Sequence, residues 1–219
     1  MPIKTIGIFG AGKLGIVIAQ LALKAGYRVA IAGSGDPQKI ALTTKILAPG
    51  AEAFDAVTAI QASDIIILAL PLSKYRSLPK DALKGKLVID AMNYWWEVDG
   101  EKSAIINDGF SSSETVQAFL SESRIVKGFS HMGYHDLLDG AKVAGNPHRK
   151  AIAVAGDDDT AAVASLVDAL GFDPLDIGTL ANGVYLEPGN QTFGANVNAA
   201  ELATLVEQAK AKKQLHYAT

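Results

Sequence analysis

The chain has no cysteine among its 219 residues. That excludes disulfides, thiolate catalysis and cysteine-held metal, and it is compatible with a reducing compartment. Excess charge is also missing: 20 basic against 23 acidic side chains give a net charge of −3, which leaves no electrostatic footprint for nucleic acid or an anionic membrane surface. Residues 65–72 form a continuous apolar stretch ended by a Pro71-Leu72 pair, far short of the roughly 20 residues a membrane-spanning helix needs. Lys4 followed by apolar residues mimics a signal peptide, but Lys13 interrupts the would-be apolar region. Met1 is therefore expected to be the mature start and the protein cytoplasmic.

What is plentiful is apolar sequence, at 49% hydrophobic residues, and one arrangement of glycines gives it direction. Residues 5–9 are short, apolar and β-favouring; they break into Gly10-x-Gly12-x-x-Gly15 and continue through Ile16, Val17, Ile18, Ala19, Leu21, Ala22 and Leu23. That pattern is strand, tight turn, helix. Gly10 makes the turn, Gly12 lets the backbone approach a pyrophosphate, and Gly15 lets the helix lie close on the strand. The phosphates would sit on the free N–H groups and positive dipole end of the helix beginning at Lys13 and Leu14. The expected fold is α/β, a Rossmann-type doubly wound and mostly parallel sheet. Residues 1–178 would form the dinucleotide-binding domain and 179–219 a small C-terminal loop and helix packed on it.

The end of the second strand, 28–32, selects the cofactor. NAD sites place Asp or Glu there for the ribose hydroxyls; this chain has Gly33, Ser34 and Gly35, which leaves room for a 2′-phosphate and favours NADP. Asp36-Pro37 reads as the N-cap and first position of a helix over 37–47, with Lys39 in its first turn and within reach of the phosphate. A short strand and a short helix are expected within 51–62. Residues 64–70 and 86–90 read as parallel strands buried on both faces. Ligands bind outside the carboxyl ends of such strands. Leu70, Pro71 and Leu72 on one side and Ala91, Met92 and Asn93 on the other should therefore frame the nicotinamide.

Residues 94–113 read as a loop carrying Tyr94 and the chain's two tryptophans, Trp95 and Trp96. Adjacent rings cannot share one buried face of a strand, so at least one should meet a ligand, a partner or a pocket edge; the competing reading is a loop anchor. A helix over 114–121 and a strand over 124–129 follow. The strand empties into Ser130-His131-Met132-Gly133-Tyr134-His135-Asp136, two of the four histidines, at the same edge. Strands over 151–155 and 172–177 flank a helix over 160–170. Asp157, Asp158 and Asp159 are read as caps and dipole partners of that helix, not as metal ligands. Glycines mark a long loop over 178–194. Residues 196–213 read as a helix whose Lys210, Lys212 and Lys213 suit its C-terminal dipole, and the apolar content of 196–206 points to a homodimer.

Taken together the motifs resemble the coenzyme F420-dependent NADP oxidoreductases. The resemblance extends through Gly10-Ala11-Gly12-Lys13-Leu14-Gly15, Gly33-Ser34, Leu68-Ala69-Leu70-Pro71-Leu72 with Tyr75, Val88-Ile89-Asp90-Ala91-Met92-Asn93, Val126-Lys127-Gly128-Phe129, and Val154-Ala155-Gly156-Asp157-Asp158-Asp159 with Leu170-Gly171-Phe172. It implies hydride transfer between NADP and a deazaflavin, with Ser34 binding the 2′-phosphate and Pro71 and Phe129-Ser130 lining the nicotinamide side. Two positions depart from the pattern. Gly35 stands where relatives often have arginine, and Ser130-His131 where they carry His-Thr or Asn-Thr.

The expected function is an NADP-dependent oxidoreductase passing hydride to a planar small-molecule acceptor, coenzyme F420 or a flavin, by proximity and face alignment. Asn93, Ser130 and His131 are the candidate catalytic residues. His131 or His135 could move the accompanying proton, because histidine titrates near neutral pH; a loop histidine that only hydrogen-bonds is the alternative. Two other readings are an NADPH-dependent reductase of a small imine, ketone or quinone, and a non-catalytic NADP(H)-sensing module. The loop 94–96 discriminates, lying over the nicotinamide in an enzyme and on the outer surface in a sensor.

Overall fold

The computed structural model describes residues 3–217, with side chains described as far as Lys212; the expectation about Met1 lies outside the described residues. The strands are β1 (Thr5–Phe9), β2 (Arg28–Ala32), β3 (Glu52–Phe54), β4 (Ile65–Leu68), β5 (Leu87–Asp90), β6 (Arg124–Lys127), β7 (Ala151–Gly156) and β8 (Asp173–Asp176). They form one sheet in the order β3-β2-β1-β4-β5-β6-β7-β8. The first six pair in parallel and reproduce the doubly wound Rossmann order. β7 runs antiparallel to β6, and β8 parallel to β7.

The helices are α1 (Lys13–Lys24), α2 (Gln38–Leu47), α3 (Ala56–Ala62), α4 (Trp96–Asp99), α5 (Lys102–Ile105), α6 (Ser112–Phe119), α7 (Tyr134–Gly140), α8 (Thr160–Ala169) and α9 (Ala199–Tyr217). Ile16, Val17, Leu137, Val163 and Leu166 of α1, α7 and α8 cover one face of the sheet. Ala59, Ile60 and Val116 of α3 and α6, with Leu72 and Tyr75 of a 3₁₀ turn at Leu72–Ser77, cover the other. Covered on both sides, all four residues of β4 are buried, which is why its sequence is continuously apolar. No helix among the described residues is long and apolar enough to cross a membrane.

Local signals explain most boundaries. Asp55 caps α3, its carboxylate accepting the Val57 and Thr58 N–H groups at 3.1 and 3.0 Å. Ser111 and Glu114 form a reciprocal capping box, so α6 starts at Ser112, ahead of the expected 114. The expected loop 94–113 contains the one-turn helices α4 and α5. α7 was not foreseen: of its seven residues only Leu137 is buried, so it has no apolar period to read.

Beyond residue 156 the structure departs from expectation. Asp159 occupies the N-cap of α8 in a left-handed conformation (φ 58°) and makes no side-chain capping bond; it pairs with Arg124 instead, while Asp157 accepts the Leu180 N–H at 3.1 Å. The loop 178–194 carries a second 3₁₀ turn, Leu180–Leu186. Because α9 continues to Tyr217, Lys210 and Lys212 are not in its last turn. Lys210 pairs with Glu207 at 2.8 Å, and the Lys213 side chain lies outside the described residues. Leu202 and Val206 of α9 are buried against Ala151, Ala153 and Ala155 of β7. The apolar face that pointed to a homodimer is thus covered within the chain.

Candidate dinucleotide and acceptor site

The glycine loop is built as its spacing requires. Gly10 has φ 120°, and a Cβ there would stand 2.2 Å from the Ala69 carbonyl oxygen; a Cβ on Gly15 would stand 1.8 Å from the Gly10 carbonyl oxygen. Neither position admits a side chain. Gly12 differs, because nothing lies within 4 Å of its Cβ position. It is the N-cap of α1 with no side-chain capping bond, so the first N–H groups of the helix, at Lys13, Leu14 and Gly15, have no partner supplied by a cap. This cradle fits a pyrophosphate. Lys13 rises over the Tyr134 ring, its Nζ 5.3 Å from the centroid, tying the loop after β6 to the phosphate end.

At the end of β2, Ser34 and Lys39 are exposed. Asp36 Oδ1 accepts the Gln38 N–H at 2.9 Å, so the carboxylate is engaged at the start of α2, and Pro37 already has helical angles. Leu70 is half-buried and Pro71 exposed at the end of β4, while Ala91 is buried at the end of β5. These positions line the carboxyl edge, the side on which Gly12 is open.

Across that edge Asn93 Nδ2 donates to the Ser130 carbonyl at 2.6 Å, which joins the loops after β5 and β6. Asn93 Oδ1 and the Ser130 hydroxyl are both buried and unpartnered. Between them and β6, Phe129 adopts φ 58°, a strained conformation for a residue with a Cβ. Beneath lies a fully buried ion pair that sequence reasoning missed. Lys127 Nζ donates to the Met92 carbonyl at 2.7 Å and to Ser112 Oγ at 3.2 Å, and it stands 3.5 Å from Asp90 Oδ2. Asp90 also accepts the Ser113 hydroxyl at 2.6 Å and the Met92 N–H at 2.9 Å. A lysine directly following the apolar pair Ile125-Val126 in a central strand was the available signal.

His131 sits differently from the reading that made it a proton carrier. It is 1% exposed, and Nε2 accepts the Ala153 N–H at 3.1 Å. Burial pushes its pKa down to about 4, with the Thr192 carbonyl a smaller opposing influence. A neutral ring held against β7 anchors its loop. His135 lies against the Tyr134 ring, centroids 4.1 Å apart.

The aromatic loop is fastened by Asp99, whose two carboxylate oxygens accept the Ser73 and Trp95 N–H groups, each at 2.8 Å. Tyr94 donates to the Gly100 carbonyl at 2.6 Å. Trp95 meets Phe193 edge-on with centroids 5.6 Å apart, whereas Trp96 is 63% exposed. A cavity of about 510 Å³ lies elsewhere, at the amino edge, lined by residues including Asp64, Lys86, Arg124 and Asp159.

A glycine cradle at the first βα turn of this strand order defines a dinucleotide-binding protein of the Rossmann class. Over residues 5–94 the chain matches the family model of NADP oxidoreductases, coenzyme F420-dependent. Among solved structures, a hypothetical protein from Sinorhizobium meliloti is similar at a TM-score of 0.76 and 25% identity, over 89% of this chain and 95% of its own. A protein from Arthrobacter sp. FB24, provisionally described as an F420-dependent NADP reductase, gives 0.68 and 20%, over 83% and 87%. An imine reductase from Bacillus cereus gives 0.59 and 17%, over 84% of this chain but 57% of its own.

Proposed function

We propose that the protein binds NADP(H) along the carboxyl edge and transfers hydride between it and a planar acceptor of the coenzyme F420 or flavin type. The observation that carries this is one edge holding both a phosphate cradle open at Gly12 and two buried, unpartnered polar atoms, Asn93 Oδ1 and Ser130 Oγ, at the next strand ends. When bound, NADPH supplies the hydride from its dihydronicotinamide ring. The chain's part is to grip and orient. The N–H groups of Lys13, Leu14 and Gly15 hold the pyrophosphate, Gly10 and Gly15 keep the turn tight, and Gly33, Ser34 and Lys39 receive the 2′-phosphate. Leu70, Pro71, Ala91 and Asn93 frame the nicotinamide. Asn93 and Ser130 offer it hydrogen bonds, and His131 holds their loop in place. Since His131 is buried and neutral, it is not the source of the accompanying proton in this reading.

Residues 1–178 carry the cofactor in this reading and 179–219 complete the acceptor side. Cytoplasmic location belongs to the same proposal. A homodimer would have to use a face other than Leu202 and Val206, such as the exposed Trp96 and Val98. That exposed patch also favours a second reading, a non-catalytic NADP(H) sensor presenting it to a partner; reduction of a small imine, ketone or quinone is a third.

Titrating the pure protein with NADPH and NADH, then offering coenzyme F420, FMN, a quinone and a cyclic imine while following absorbance, separates all three. NADPH should bind more tightly. Ser34→Glu should weaken it by about 1.5–3 kcal/mol, the loss of a charge-assisted hydrogen bond, and improve NADH. Equal affinity of the wild type for both nucleotides would refute the reading of the β2 end, and NADPH binding with no turnover of any acceptor would favour the sensor.

A further inference from the structure

Residues 193–197, which lead into α9, carry none of the dinucleotide motifs, yet they run along the same carboxyl edge. The Gly194 N–H donates to the His131 carbonyl at 2.7 Å, and the Val197 carbonyl accepts the Ala151 N–H at 2.9 Å. Asn196 Nδ2 donates to Asp136 Oδ1 at 2.8 Å. That bond fixes the amide's orientation, because a carboxylate accepts and only the NH₂ group can donate to it. Asn196 Oδ1 is left as an acceptor, buried and without a donor. Such an atom is costly unless something fills its lone pairs. Asn93 repeats the arrangement, its NH₂ engaged by the Ser130 carbonyl and its oxygen free. Ser130 itself is 4% exposed with its hydroxyl unpartnered. Phe193 and Trp95 add an apolar wall beside these groups.

Building on the oxidoreductase reading, we propose that Phe193 and Asn196 form the acceptor wall of the site, and that Asn196 Oδ1 receives an N–H from the edge of a planar heterocycle. The chemistry of that edge is an imide, as in the pyrimidine ring of a flavin or deazaflavin. Ketones and quinones have no N–H to donate, so this oxygen selects against them. The ring face lies on Phe193 and Trp95, where aromatic contact is tolerant of the exact heterocycle.

The test uses lumiflavin and its N3-methyl derivative, which differ by one N–H, titrated into NADP⁺-saturated full-length protein by flavin fluorescence. The wild type should bind lumiflavin roughly tenfold more tightly than the methylated ring, the effect of leaving one buried acceptor unsatisfied. Asn196→Leu should erase the preference while leaving NADPH affinity and binding of the methylated ring unchanged. Phe193→Ala should weaken both flavins alike, again without touching NADPH. The proposal is overturned if the wild type does not distinguish the two flavins, if neither binds, or if Asn196→Leu weakens both rings or NADPH equally, as a purely structural residue would. Failure to bind NADPH would instead bring down the oxidoreductase reading beneath it.

Discussion

The two edges of the sheet are built to opposite rules. At the amino edge Asp64 accepts the Lys4 and Thr5 N–H groups at 2.8 and 2.9 Å, bonds that hold its carboxyl below the usual carboxylate range. Lys86 Nζ donates to the Ser63 carbonyl at 2.7 Å, and Arg124 pairs with Asp159 and donates to the Gly85 carbonyl at 3.1 Å. The Thr5 hydroxyl there is buried without a partner. At the carboxyl edge Asn93, Ser130 and Asn196 keep open hydrogen-bonding atoms. A cavity of about 510 Å³ lies at the amino edge as well. Unfilled hydrogen-bonding capacity, more than volume, marks where a ligand belongs.

The contrast breaks most sharply at the glycines. Gly12→Val should abolish NADPH binding in calorimetry while leaving the circular dichroism spectrum intact, since its Cβ meets no protein atom. Gly15→Val should fail to fold, its Cβ driven into the Gly10 carbonyl. If Gly12→Val binds normally, the cradle has been misassigned.

Next in size is the buried pair. Lys127→Met leaves Asp90 charged, fully buried and short of its cation, which should cost about 3–5 kcal/mol in urea unfolding. A cost under 1 kcal/mol would mean that the carboxyl edge is no more tightly built beneath its loops than an exposed surface.

His131 gives a pH signature. Its folded pKa of about 4 lies below the ordinary 6.5, so the unfolded chain takes up a proton that the folded one refuses. Its contribution is therefore fully present above about pH 6.5 and is lost as pH falls towards 4, by about 3 kcal/mol in all. A His131→Asn variant should show a flatter decline over that window; identical slopes in urea unfolding at stepped pH would contradict the burial argument.

The smallest effect belongs to the amino edge. Arg124→Ala removes a partly exposed ion pair and should cost under about 1 kcal/mol, with NADPH affinity unchanged. Weaker NADPH binding would show that the two edges are not independent.

What could be read from the sequence follows from what is local. Strands β1, β4 and β5 announce themselves because both faces are covered, and the tight turn into α1 because neither Gly10 nor Gly15 admits a side chain. The reversal at β7 could not be read, since residues 141–150 are polar and aperiodic and direction is set only by where the chain returns. α7 hides for a related reason, with one buried residue in seven. Asp99 and Ser73, Lys127 and Asp90, Phe193 and Trp95, and Asn196 and Asp136 lie far apart in sequence and meet as pairs only through folding. Asn93 and Ser130 could be placed at the carboxyl edge because they follow strand ends, whereas the burial of His131 depends on a strand, β7, whose orientation no motif encodes.

The reversed strand also sets an order along the chain. β7 and β8 run down to the amino edge, so the chain must climb back through Leu180–Leu186 before residues 193–197 reach the carboxyl side. In chain order the glycine loop is complete at the start of α1, whereas residues 193–197 reach the carboxyl side only after all eight strands. The proposed nucleotide grip therefore depends on the parallel strands, and the proposed acceptor wall on the antiparallel return.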